Sequence, residues 1–189
     1  MQADIIRRFH AALPQVRTWI DDFLAAHTQH TRKVSTLGFK RLPACFPSEL
    51  LERAKVASVN YVEFPPVHKF GLPEFAPIQQ MQFDGLTFKD TCFIKQGCES
   101  EALQFHELIH VVQWSRLGVD KFLLAYGLGL LQFGYAQNPL EEMAYTLQQL
   151  FERGTTPMGL MRVIEERSDA IWRKAAPVVE GQSGSSPSG

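Results

Sequence analysis

The chain has 189 residues, of which 45% are hydrophobic, a composition that suits one globular domain with a sizeable core. Nineteen Lys and Arg nearly balance twenty Asp and Glu, so the formal net charge is −1 and nothing favours nucleic-acid binding. The three cysteines form no CxxC pair, which argues against a disulfide framework and a structural zinc knuckle, and favours a reducing compartment.

The N-terminal segment, residues 3–28, has helical spacing, and Pro14 should split it into two helices or kink one. It lacks the continuous apolar core of a secretory signal. The longest apolar stretch, residues 119–133, is too short and too interrupted to cross a bilayer, which takes about 20 residues. We therefore expect a cytoplasmic protein that does not bind membranes.

The segments that follow predict short elements. Residues 48–53 fit a capped helix, and residues 56–62 are rich in β-branched side chains, which favours a strand. Residues 64–77 contain four prolines and are predicted to form a loop.

Two further strands are predicted at residues 78–83 and 86–95. The dipeptide Asp84-Gly85 between them is a strong signal for a hairpin turn. The sequence therefore predicts a small antiparallel sheet just ahead of the helical half of the chain.

The second half of the chain has helical patterns separated by capping signals. Ser100 is a suitable N-cap, Gly118 is a suitable helix end, and Asn138-Pro139 is a typical helix start. The predicted helices are residues 101–117, 120–133, 139 onward and 157–174.

The pattern that carries chemistry is His106-Glu107-Leu108-Ile109-His110, within a predicted helix. Histidines four residues apart lie on one face of a helix, so both imidazoles can reach one ion at about 2.0–2.1 Å. Glu107 projects about 100° away around the helix, where it can accept a proton from a metal-bound water without binding the ion itself. Burying three ionisable groups among apolar neighbours is costly, and a dication offsets that cost.

A catalytic zinc site needs a third protein ligand and one open position. Glu141 and Glu142, in the first turn of the helix that starts at Pro139, supply the candidates. Glu141 lies at the edge of the apolar face of this helix and Glu142 lies farther from it. The spacing therefore favours Glu141, and Glu142 is the alternative third ligand.

Other interpretations of the motif stay open at this stage. Short patterns with three fixed positions occur by chance, and histidines on apolar helix faces are often ordinary core residues, as in a helical adaptor without metal. A di-iron bundle needs two Glu-x-x-His motifs on separate helices, and only Glu107 to His110 supplies one.

The segments HELIHVVQW and PLEEMAY resemble the gluzincin branch of the zincin metallopeptidases and small bacterial HELxHxxQ proteins. The resemblance covers about residues 86–153. It implies one Zn²⁺ bound by His106, His110 and Glu141, with a peptide or protein as substrate. It also places Tyr145 where the family has an acidic partner of a ligand, and it makes residues 86–94 an edge strand that pairs with an extended peptide.

Further side chains are candidates for supporting roles. Gln113 follows His110 by three residues, so it should face the same side and could orient a ligand or line the cleft. Zincins often stabilise the oxyanion with a Tyr or a His, and the resemblance makes Tyr126, Tyr135 and His68 candidates. Tyr135, just ahead of the Glu141 helix, has the best claim.

Together these predictions describe an α+β, mainly helical, zincin-like single domain over residues 1–176. Residues 1–77 should form N-terminal helices, a strand and a loop, and residues 78–176 the metal-binding core. The low-complexity tail, residues 177–189, should be disordered. The expected activity is zinc-dependent peptide-bond hydrolysis with Glu107 as general base. The alternative is a weak or inactive zincin-like scaffold that binds metal or a partner.

Overall fold

The computed structural model describes residues 2–181, which contain seven α-helices, four β-strands and four short 3-10 helices. Two of the 3-10 helices, Val67–Phe70 and Pro73–Phe75, lie in the segment 64–77 that was predicted to be a loop. Most of the described residues are helical, and one small sheet accompanies the helices in a single domain, as the sequence predicts. The helices are α1 (Gln2–His27), α2 (Leu42–Cys45), α3 (Ser48–Arg53), α4 (Ala76–Gln79), α5 (Glu101–Phe133), α6 (Pro139–Glu152) and α7 (Leu160–Glu180). The strands are β1 (Arg32–Lys33), β2 (Lys55–Val59), β3 (Gly85–Phe88) and β4 (Thr91–Lys95).

Helix α1 is continuous through Pro14, so the proline does not split it in two. Pro14 lies on the exposed side, while Leu13, Val16 and Ile20 are buried. The missing backbone N–H of one exposed proline is outweighed by the burial of this apolar face.

The sheet is mixed, which corrects the prediction of an antiparallel sheet. Its strand order is β1-β2-β4-β3, and β2 pairs with β4 in parallel, while the other two pairs are antiparallel. The hairpin turn lies at Lys89 and Asp90, where Lys89 has a φ of 56°, and not at Asp84-Gly85. Residues 78–83 do not form a strand.

Packing explains why Gly85 is not in the hairpin turn predicted for it. Gly85 starts β3 opposite Ile94, and its missing side chain leaves room for the carboxylate of Glu107. A glycine that allows close approach of two elements was thus mistaken for a turn residue.

Helix α5 is the central element of the fold. It packs against α6 and α7 on one side and against β3 and β4 on another, and also contacts α1. Gly118, with φ 73° and ψ 170°, is non-helical and divides α5 into two segments, close to the two helices expected from the sequence. None of the helices in residues 2–181 is long and apolar enough to cross a membrane.

The C-terminal helix extends farther than expected. Helix α7 continues to Glu180, and Val179 is buried in the core. Residues 177–180 are therefore helical, which corrects the predicted start of a disordered tail at 177. The rest of that predicted tail, residues 182–189, lies outside the described residues.

Candidate metal centre

The HExxH segment lies in the most buried part of α5. Ser100 caps the helix by accepting a hydrogen bond from the Leu103 amide at 3.1 Å, which fixes where the helix begins. His106, Glu107 and His110 are only 3%, 2% and 5% exposed. Ionisable groups at this depth need partners or a bound ion, because burial removes their hydration.

Three of the predicted ligands come together at one point. The Nε2 atoms of His106 and His110 are 3.1 Å apart, and each lies 3.5 Å from Oε2 of Glu141 on α6. Donors each about 2.0–2.1 Å from a tetrahedral ion lie about 3.3 Å from one another, so these separations match a shared metal. The three residues form a buried group that could hold a metal ion.

The hydrogen bonding of the three donor atoms fits the same conclusion. Oε2 of Glu141 is buried and has no hydrogen-bond partner. Nδ1 of each histidine already faces an amide oxygen, that of Gln148 at 3.1 Å and that of Gln113 at 2.8 Å. If Nδ1 donates in each ring, Nε2 keeps a free lone pair, and three lone pairs then converge on the same space.

Of the two glutamines that contact the histidines, the sequence predicts a role only for Gln113. Gln113 contacts His110, the ligand-orienting role considered for it, and also donates to the Leu140 carbonyl at 3.0 Å. Gln148, which orients His106, was not identified. It lies seven residues after Glu141 on the same side of α6, a spacing that could have indicated it.

Tyr145 does not replace the expected acidic partner by hydrogen-bonding a ligand ring. Its ring packs against His106 with centroids 4.6 Å apart, and its side chain is exposed at the surface. The orienting bond that the family resemblance assigns to an acidic residue comes here from Gln148.

Charge interactions within the group are strong. Burial alone would raise the pKa of Glu141, but the two imidazoles outweigh burial and lower it. Burial alone would lower the pKa of His110, but the Glu141 carboxylate outweighs it and raises this pKa to about 9. Without a metal, the Glu141 carboxylate is therefore stabilised by the proton that His110 holds.

Tyr126, from the second segment of α5, donates its hydroxyl to Oε1 of Glu141 at 2.7 Å. It was considered for oxyanion stabilisation, but it does not line the cleft described below. His68, another such candidate, is exposed and bonds Gln79 through Nδ1 at 2.6 Å, away from the group.

The Glu107 carboxylate contacts β3. Oε2 accepts the hydroxyl of Thr87 at 2.7 Å, and its other oxygen lies against Gly85. Burial raises the pKa of Glu107, although the two histidines and Thr87 oppose this rise. Thr87 was missed by sequence reasoning, although alternation along the strand places it on the side that faces α5.

A cleft of about 460 Å³ opens over this carboxylate. His106 and Glu107 lie in its wall, together with Tyr135, Tyr145 and Gln148. Tyr135 therefore lies at the cleft, while Glu142 is exposed and is not part of the ligand group. Burial, the Glu141 carboxylate and a hydrogen bond with Tyr145 raise the pKa of Tyr135, so its hydroxyl keeps its proton.

The cleft also reaches the sheet. Gly85, at the start of β3, lines it, and β3 is the outermost strand in the described sheet. The predicted edge strand, residues 86–94, covers two strands in the structure, and only β3 is at the edge, since β4 pairs on both sides.

Comparisons with protein-family models, with curated proteins and with solved structures find no match to this chain. The chemistry of the site is therefore inferred from its own residues.

Proposed function

We propose that this protein is a zinc-dependent peptidase with a zincin-like arrangement of helix, edge strand and third ligand. The observation that carries the proposal is the position of Glu107. It is a buried carboxylate beside a His-His-Glu group, held by Thr87 and lining an open cleft.

Two imidazoles and one carboxylate are a ligand set of catalytic zinc sites, and three protein ligands leave one position open. The same three donors also bind iron(II), so the reason for proposing zinc is the HExxH spacing, which puts Glu107 next to the first histidine ligand. When bound, zinc supplies a Lewis acid that polarises a carbonyl and lowers the pKa of water to about 7.

The protein's own residues would transfer the proton, orient the general base and stabilise the oxyanion. Glu107 accepts the proton of the attacking water and passes it to the leaving amine. The hydrogen bond from Thr87 keeps the Glu107 carboxylate in one orientation. Tyr135, protonated and at the cleft, would turn its hydroxyl from Tyr145 to donate to the oxyanion that develops on the carbonyl.

The edge strand suggests how a peptide binds. The outer edge of β3 offers backbone groups to an extended chain, and its first residue lies in the cleft. A peptide paired there passes beside Glu107.

The direct test compares the wild type with Glu107→Gln. Both proteins are loaded with one equivalent of zinc, zinc content is measured by mass spectrometry, and both are incubated with a peptide library. We expect equal zinc content and a loss of cleavage of about 100-fold or more in the variant, the usual range for removal of a general base. Equal activity of the two proteins on every peptide would refute the peptidase proposal.

A second candidate is a metal-binding scaffold with little or no catalysis. It is favoured by the burial of His110 and Glu141, neither of which lines the cleft. In that case zinc removal by a chelator lowers the unfolding temperature by the same amount in wild type and Glu107→Gln, and neither protein cleaves peptides.

A further inference from the structure

We propose that Tyr126 is a positioning residue that restricts Glu141 to a single metal-binding oxygen. This inference rests on the proposed metal site and adds to it the way in which the third ligand binds. The residue comes from the segment of α5 that follows Gly118, outside the HExxH motif.

The two carboxylate oxygens of Glu141 have different surroundings. Oε1 accepts the Tyr126 hydroxyl at 2.7 Å, whereas Oε2 has no hydrogen-bond partner and lies 3.5 Å from Nε2 of both histidines. The Tyr126 hydroxyl thus bonds the oxygen that lies farther from the two histidines. The remaining oxygen is the one directed at the ligand group.

The donor and the acceptor are fixed relative to each other by Asn138. Its side-chain amide donates to the Tyr126 carbonyl at 3.0 Å, and its Oδ1 accepts the Leu140 amide at 3.2 Å, which caps α6. The same residue therefore ties the backbone of Tyr126 to the first turn of the helix that carries Glu141. Gly129 leaves the space for it, because a Cβ there would lie 2.6 Å from Asn138 Oδ1.

The phenol ring is also held in place. It stacks on Phe122 with centroids 5.7 Å apart, and Phe122 stacks on Trp114 at 3.9 Å. A ring held in this way keeps its hydroxyl at Oε1 of Glu141 and so fixes the direction of the carboxylate.

The bond from Tyr126 to Oε1 limits the number of protein atoms that can bind the metal. With Oε1 bonded to Tyr126, Glu141 contributes one oxygen, and two histidines and one oxygen leave a fourth position open, as in catalytic zinc sites. Without the hydroxyl, Oε1 is free to join Oε2 on the metal. The metal then gains Oε1 as a further donor atom, and the Glu141 carboxylate loses the orientation that the Tyr126 hydroxyl gives it. Loss of a hydrogen-bond partner that orients a metal ligand typically lowers metal affinity by about 10–100-fold.

Cobalt(II) tests this inference without any assay of catalysis, because four-coordinate cobalt absorbs visible light much more strongly than five- or six-coordinate cobalt. The metal-free wild type, Tyr126→Phe and Tyr61→Phe are titrated with Co²⁺, and the absorption and affinity are recorded. Tyr61 is exposed, so its variant is the matched control. We expect an intense spectrum for the wild type and Tyr61→Phe. For Tyr126→Phe we expect a several-fold weaker spectrum and affinity lower by about tenfold or more.

The outcomes separate this inference from the proposed site. Identical cobalt spectra of wild type and Tyr126→Phe would overturn the role of Tyr126 and leave the metal site intact. A wild type that does not bind cobalt would overturn both. If Tyr126→Phe does not fold, a crystal structure of the metal-loaded wild type decides, since both Glu141 oxygens at bonding distance from the metal would contradict the inference.

Discussion

Replacing Gly85 by alanine perturbs Glu107 from the neighbouring strand. A Cβ at this position would lie 2.4 Å from Oε1 of Glu107, 2.9 Å from its Cδ and 3.2 Å from its Cγ. An ordinary contact is 3.4 Å or longer, so the carboxylate must withdraw by roughly an ångström. The backbone of Gly85 has no positive φ, so alanine itself is not strained there.

These contacts set how much Gly85→Ala lowers the free energy of unfolding. Overpacking in a filled core costs about 1–3 kcal/mol, and weakening of the Thr87 hydrogen bond adds about 1 kcal/mol. In a Glu107→Ala background the carboxylate is gone, and Gly85→Ala should be neutral or stabilise by about 0.4–1 kcal/mol through the unfolded chain. Misplacing the general base by this distance should also lower peptide cleavage about 100-fold.

The assay is a double-mutant cycle measured by denaturant unfolding of the four proteins in the presence of zinc. The account predicts a coupling free energy of about 2 kcal/mol or more between positions 85 and 107. Equal destabilisation by Gly85→Ala in both backgrounds would refute the close contact between β3 and the Glu107 carboxylate.

Three further predictions concern the ligands and the core. Glu141→Gln should lower zinc affinity at least tenfold by calorimetry, whereas Glu142→Gln, its exposed neighbour, should leave the affinity unchanged. Because the pKa of His110 is raised to about 9 in the metal-free protein, zinc must displace a proton when it binds at neutral pH. Zinc affinity should therefore rise as the pH rises from 6 to 8, and calorimetry in buffers of different ionisation enthalpy should detect the released proton. A zinc affinity that does not depend on pH would contradict this. Phe151→Ala removes a buried ring stacked at 4.3 Å on Phe105 and should cost about 3–5 kcal/mol in the free energy of unfolding; a loss below 1 kcal/mol would contradict the packing.

Local signals in the sequence were sufficient to predict the helical half of the fold. Ser100 and Asn138 accept the capping hydrogen bonds expected of them, and Gly118 interrupts α5 where a helix end was expected. Spacing also placed His106 and His110 on one face. These features depend on residues close in sequence, whose geometry is set by the helix itself.

The features that escaped prediction depend on residues far apart in sequence. The parallel pairing of β2 with β4 and the contact of Gly85 with Glu107 have no local signature. Thr87 and Tyr126 reach Glu107 and Glu141 from other elements, and either could have been an ordinary core residue by sequence alone. Only the packing of α5 against β3 and α6 brings these side chains into contact.

The central claim is that His106, His110 and Glu141 bind one metal ion. The most direct measurement is the anomalous scattering of zinc in crystals of the protein grown with one equivalent of Zn²⁺. The account predicts a single strong peak between the two Nε2 atoms and Oε2 of Glu141. Full zinc occupancy elsewhere, or no peak at this group in crystals that contain zinc, would contradict it.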